Sequence, residues 1–143
     1  FNTTNTRFDF FNGAAWQPFN SGQLVLLSNS EGDVTGAATT ASVKSFVVPA
    51  NIYSQIMVEA EIGLDQSGSN NAEWTFDIQY SAVTKATSNL KLRGNNAAQE
   101  HKTLGVLKYS EAMPAGGTIQ INVTSVFLNG TWKINSLRIY GVI

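Results

Sequence analysis

The chain has no cysteine, one histidine (His101) and three prolines, and only 13% of its side chains are charged. Without cysteine it can form no disulfide, thiolate nucleophile or sulfur-ligated metal cluster, and one imidazole excludes sites built from several histidines. Nine basic residues stand against ten acidic ones with no basic cluster, which removes the attraction behind most non-specific nucleic-acid binding. No apolar run approaches the roughly 18 residues of a membrane-spanning helix, and the first residues show no charged and then apolar leader pattern. These absences delete most familiar enzyme classes. Paired carboxylates survive, since they need neither cysteine nor histidine.

What is present is apolar and polar-neutral. The hydrophobic fraction is 43%, with eight Phe, three Trp and four Tyr, enough for a real core. Asn, Ser and Thr supply 40 of the 143 residues, so the wetted surface is amide and hydroxyl rather than ionic. One globular domain is the expectation at this length.

Period-two alternation recurs along the chain, and no helical period persists beyond about two turns. Arg7 to Phe11, the turn former Asn12-Gly13 and the return past Trp16 to Pro18 predict a small hairpin within residues 1–20, leaving 21–143 for the main domain. Gln23 to Ser28 reads as a strand, and the small polar stretch Asn29 to Ala41 as a loop. A strand through Val43 to Val48 stops at Pro49, because proline removes the next ladder donor. Ile56, Val58, Ala60 and Ile62 share one strand face, and Trp74, Phe76, Ile78 and Tyr80 share another, with Gly63 to Ala72 as a polar connection between them. Leu90 to Leu92 and Leu104 to Tyr109 suggest two further strands. Ile119, Ile121 and Val123 alternate into Asn129-Gly130, which predicts a type I′ hairpin returning through Trp132 and Ile134. Apolar parity then shifts to Leu137, Ile139 and Gly141, as a one-residue bulge near Asn135-Ser136 would produce. Eight or nine short strands with frequent breaks predict an all-β, single-domain antiparallel β-sandwich of jelly-roll type, preceded by the hairpin. An apolar terminal strand Arg138 to Ile143 should pair centrally or pack against something, either the domain interior or a neighbouring copy, because a frayed apolar end would be an exposed edge.

Candidate chemistry is sparse. Glu59 and Glu61 lie on one strand face at a separation that glycosidase carboxylates use, but same-face acids usually mark a strand's wet side. Glu73 and Asp77 read the same way, and no Gly-x-Ser-x-Gly elbow accompanies His101. Asp65, Ser67, Asn70, Asn71 and Glu73 form the most oxygen-rich stretch and are candidate ligands for Ca²⁺, although a plain hydrophilic loop is the better reading and no cofactor is expected. Their spacing departs from an EF-hand. For a ligand with hydroxyls, an aromatic face flanked by amides is the useful arrangement. Tyr53, with Arg93, Asn95, Asn96, Gln99 and His101, are the candidates, both groups expected on loops, whereas Trp74, Phe76 and Tyr80 are expected in the core.

One segment carries a likeness. Phe1-Asn2-Thr3-Thr4, the run Arg7-Phe8-Asp9-Phe10, the turn Asn12-Gly13 and then Trp16 resemble a segment common in bacteriophage tail fibres and related virion proteins. The resemblance covers about a tenth of the chain. It implies a trimer of jelly-roll heads at the distal end of a fibre, non-enzymatic, binding a host-surface glycan or protein through its loops. A cysteine-free chain suits maturation in a reducing bacterial cytoplasm followed by work outside in the virion. Phe1 falls inside the pattern, so residues upstream are expected. The alternatives are a carbohydrate-binding module or lectin-like sandwich of a secreted bacterial protein, and a capsid decoration or fibre-assembly protein. An enzyme such as a depolymerase ranks last.

Overall fold

The computed structural model describes residues 9–11, 13–14, 16–18, 23–94 and 96–143. Ten strands follow in order: β1 (Asp9–Phe11), β2 (Trp16–Pro18), β3 (Leu24–Gly36), β4 (Thr40–Val48), β5 (Gln55–Gly68), β6 (Ala72–Tyr80), β7 (Val83–Leu92), β8 (Asn96–Ala112), β9 (Gly117–Phe127) and β10 (Thr131–Val142). The first two pair as an antiparallel hairpin with Phe11 opposite Trp16; the turn expected at Asn12-Gly13 involves Asn12, which lies outside the described residues.

The other eight strands form two four-stranded antiparallel sheets, in the orders β3-β10-β5-β8 and β4-β9-β6-β7. Apart from the β6–β7 hairpin, each successive strand crosses to the opposite sheet. This is the jelly-roll order, as the strand count and turn spacing predicted. β10 lies between β3 and β5, so of the two ways of covering the apolar C-terminal strand, central pairing within the domain is the one observed.

Alternation decides the inner faces. Ile56, Val58, Ala60, Ile62 and Leu64 of β5 face Trp74, Phe76 and Ile78 of β6 and Ile119, Ile121 and Val123 of β9 across the core, all essentially inaccessible. Each such large side chain contributes about 1.5–3 kcal/mol on burial. In β10 the buried residues run Trp132, Ile134, then Leu137 and Ile139. The register with β5 slips between Ile134 and Ser136, which is the bulge the parity shift required.

Four expectations are corrected. β9 and β10 do not form a hairpin: residues 128–130 arch from one sheet to the other, and only Gly130 of the pair takes positive φ, where a type I′ turn needs it at both positions. The inward residues of the two strands meet across the core instead of side by side. Gly63 to Ala72 is mostly strand, because β5 continues to Gly68 between β10 and β8; only 69–71 connect. Likewise β3 runs to Gly36 and β8 starts at Asn96, so much of Asn29 to Ala41 and of Arg93 to His101 is extended. These are edge strands with a wet side, and polar side chains cost them little.

Candidate functional site

The anomaly in the pattern is the run Val126-Phe127-Leu128. A half-buried strand buries alternate residues, yet these three are 49%, 47% and 70% exposed. Three successive exposed apolar residues beside a turn are a liability unless they bind something. The register supplies the cause. Trp74 stands opposite Ser125 and Glu73 opposite Phe127, leaving Val126 without a partner in a β-bulge that sets Phe127 on the outer side of the second sheet. Bulges re-aim side chains in this way near functional sites.

Phe127 thereby opens a row that continues through Glu73 and Lys91, with the last two joined as an ion pair at 2.8 Å. Behind that row the outer face of the sheet carries hydroxyls, amides and the Asp77 carboxylate, with Val47 exposed on the edge strand β4. Thr75 donates to Asn89 at 2.7 Å and Thr87 donates to Asp77. Gln120 donates to Gln79 at 3.1 Å, and Ser42 donates to Gln120 at 2.8 Å. Their cross-strand bonds hold these donors and acceptors in fixed orientation before any ligand arrives.

The loops at this end are packed into one body. A methyl group on Gly94 would lie 2.5 Å from the Asn70 carbonyl oxygen, so only glycine lets the β7–β8 connection touch the β5–β6 turn. Asn129 donates its side-chain amide to the Asn71 carbonyl at 2.9 Å and accepts on its own carbonyl from the Trp74 indole, also at 2.9 Å. Buried Gln66 donates to the Asn70 carbonyl at 2.6 Å. Trp132 donates to Ala38 at 2.8 Å, which ties the β3–β4 connection to the same end.

The sequence candidates are thus partly united. Arg93 is exposed beside Gly94 in this cluster, and Asn70 and Asn71 lie in the turn that Gly94 touches. Asn96, Gln99 and His101 belong to β8, where Asn96 stands opposite Gly68 and His101 opposite Gln66; Asn95 is outside the described residues. Tyr53 is at the opposite end. Its ring packs on Gly141 beside an open cavity of about 400 Å³ lined by Ile52, Met113 and Ile143.

The proposed calcium ligands diverge. Glu73 turns to Lys91, Asp65 sits in the β5 ladder between Thr131 and Lys102, Ser67 lies two residues on in the same strand, and the Asn70 and Asn71 carbonyls accept the bonds just described. Among the described residues no group of three acidic or imidazole side chains is placed so that it could hold a metal ion. Glu59 and Glu61 share the outer face of the first sheet, as expected, and both face Arg138, at 3.6 and 3.1 Å; Lys108 also meets Glu59 at 3.2 Å. Hydrogen bonding from Arg138, then from Asn29, holds the neighbouring Glu31 carboxyl below the usual range.

Phe127 is not among the candidates the sequence offers, because it lies past the alternation that ends at Val123 and before the turn signal Asn129-Gly130. The unbroken apolar triplet between them was the available signal.

No helix among the described residues is long and apolar enough to cross a membrane. No protein-family model and no curated protein matches the chain. Among solved structures it is similar to the insecticidal delta-endotoxin Cry8Ea1 from Bacillus thuringiensis, at 12% identity and TM-score 0.45, over 78% of this chain but a fifth (20%) of that one. A sugar-binding protein, the EclA C-terminal domain, aligns at 13% identity and TM-score 0.44 over 91% of this chain and 89% of that one. The CBM22-1 xylan-binding domain of Paenibacillus barcinonensis Xyn10C aligns at 12% identity and TM-score 0.39, over 85% and 96%. At such identities the likeness is one of fold.

Proposed function

We propose that this chain is a non-enzymatic attachment domain that holds a cell-surface glycan on the outer face of the β4-β9-β6-β7 sheet, at its Phe127 end. The observation that carries the reading is the bulge that leaves Phe127 exposed at the head of a sheet face made of oriented amides and hydroxyls. An aromatic ring stacks on the apolar face of a pyranose while amides meet its hydroxyls. The hairpin resemblance favours a particular setting for this activity: the distal head of a bacteriophage tail fibre, assembled as a trimer and carried on the virion.

The test is a glycan array probed with the purified chain and with Phe127→Ala. Binding to a defined set of glycans by the parent, weakened at least tenfold in the variant at unchanged thermal stability, supports the reading. Binding that ignores Phe127→Ala removes the site. No binding to any glycan or host surface, together with binding to purified capsids, transfers the chain to the decoration class.

The second reading is a carbohydrate-binding module of a secreted bacterial protein, favoured by the fact that one copy of the sheet face contains the whole candidate site. Mass in solution separates the two. The fibre head forms a trimer of the 15.4 kDa chain, and the module is a monomer.

A further inference from the structure

Asp77 is a half-buried carboxylate in the middle of the candidate face, with Asn122 of β9 opposite it on one side and Thr87 of β7 on the other. Its same-face neighbours along β6 are Thr75 and Gln79. Among the described residues only the Thr87 hydroxyl donates to it. The cations of β7 and of the loop after it are engaged or remote. Lys91 pairs with Glu73 at 2.8 Å, and Lys85 turns to Glu111 on the other sheet at 3.1 Å. Exposed Arg93 lies six residues along from Thr87, about 20 Å at the usual rise, where salt has screened most of its attraction. One oxygen of Asp77 is therefore an acceptor left over on the face.

Asn122 supplies the complementary group. Its side-chain oxygen accepts from the Ser42 backbone N–H at 2.8 Å and from Gln120 at 3.2 Å, so its amide donors are the ones left over. Ser42 reaches it from a register shift in β4 and with φ at 53°. That left-handed conformation is unfavourable for serine, and such strain collects where functional groups are being oriented.

We infer that Asp77 and Asn122 are the selecting pair of the glycan site, whose ligand is a neutral oligosaccharide lying along β6, with one ring on Phe127 and two adjacent hydroxyls on the pair. The inference rests on the glycan reading given above and names the class of sugar. An ionised carboxylate only accepts hydrogen bonds, and the Asn122 NH2 group only donates, so together they match both roles of a vicinal diol. Bonds to an ionised acceptor are the stronger kind. A carboxylate, sulfate or phosphate on the sugar would instead meet Asp77 with no cation between them, and repulsion of this kind is how a site rejects a competitor. The length of the ligand follows from the ladder. Phe127 stands opposite Glu73, and Glu73 lies four residues from Asp77 on β6, about 14 Å at the usual rise, a span longer than one pyranose ring.

The probe is a glycan array on which neutral oligosaccharides of increasing length are printed beside counterparts that carry a uronate, a sialic acid or a sulfate. It is read as a concentration series with the parent chain, Phe127→Ala, Asp77→Asn and Asn122→Ala. The parent should bind a neutral oligosaccharide at least tenfold more tightly than its monosaccharide or its acidic counterparts. Asp77→Asn keeps the size of the side chain and its acceptor for Thr87. It should lose at least tenfold for the neutral ligand, and with that most of the discrimination against acidic ones, at unchanged thermal stability. Asn122→Ala leaves Asp77 and Thr87 in place, should weaken the same ligand at least fivefold, and carries the test should Asp77→Asn not fold. Phe127-dependent binding overturns this inference, and leaves the Phe127 site standing, if it is as tight for acidic glycans, if a monosaccharide matches it, or if both variants leave it untouched. A parent chain that binds no glycan overturns both.

Discussion

The indole nitrogen of Trp74 donates to the backbone carbonyl of Asn129 across 55 residues of sequence, at 2.9 Å. Trp74 is wholly buried near the start of β6, whereas Asn129 lies in the arch that follows the exposed Phe127. One hydrogen bond therefore ties the placement of the candidate site to the core. Trp74→Phe keeps most of the ring and deletes the donor. It should lower unfolding free energy by about 1–3 kcal/mol, the range for leaving a buried carbonyl unpaired. Glycan affinity should fall with it, and chemical denaturation beside a binding titration reads both; stability lost without any change in affinity would uncouple arch and site.

Gly94 is a test of the loop cluster alone. A methyl there meets the Asn70 carbonyl oxygen at 2.5 Å and its backbone nitrogen at 2.7 Å, and backbone cannot step aside as a side-chain tip can. Gly94→Ala should separate the two connections at a cost of about 1–3 kcal/mol, as overpacking does. In amide exchange, protection should fall in residues 69–71 and stay unchanged in the central strands.

At the other end Tyr53 packs on Gly141 so closely that an added methyl would come within 2.7 Å of the ring carbon Cε1. Gly141→Ala should expel the ring, lowering stability by about 1–3 kcal/mol and raising the solvent accessibility of Tyr53 in fluorescence quenching. Glycan binding at the Phe127 end should be unaffected. A loss there would show that Tyr53 belongs to the ligand site after all.

Lys44 is buried between the edges of the two sheets and donates to the Ser30 and Gly32 carbonyls at 2.8 and 2.9 Å. Burial pushes its ammonium below the ordinary lysine range, opposed by Asp33 and Glu31. Between the lowered folded value and the ordinary unfolded one, the unfolded chain binds the extra proton, so stability rises with pH in that alkaline window. Lys44→Met should remove this rise and cost about 1 kcal/mol at neutral pH through the lost donors. Urea unfolding of both proteins at neutral and alkaline pH measures it; parallel pH dependences would refute it.

Glu31 titrates below the usual carboxylate range because Arg138 hydrogen-bonds to it. With a depressed folded value, the contribution of this contact is complete above the unfolded pKa and is lost as pH falls through the folded one. Arg138→Gln should return the Glu31 carboxyl toward its ordinary value, read by NMR titration of the side chain. An unmoved titration would mean that Arg138 spends its charge on Glu59 and Glu61 instead.

Alternation in the sequence determined which residues are inside. Ile56 to Ile62, Trp74 to Tyr80 and the parity shift that puts Leu137 and Ile139 in the core were all legible, because burial on a strand follows a local period of two. So were the all-β class and the central place of the final strand. The period does not say which strand lies beside which. Asn129-Gly130 has the composition of a hairpin turn, and only the packing of Trp74 and Trp132 on opposite sheets turned that connection into an arch. Polar strand segments are illegible for the same reason: β3 past Ser28, at a sheet edge, and β5 past Ile62, between two neighbours, are strands because of what they pair with, not their own residues. The site depended most on tertiary structure. The Asn70 and Arg93 stretches are joined through Gly94, Tyr53 is sent to the far end, and Phe127 faces outward because of a bulge whose existence depends on β6 lying alongside. Strand partnership is a contact between residues distant in the chain, and a local period carries no record of it.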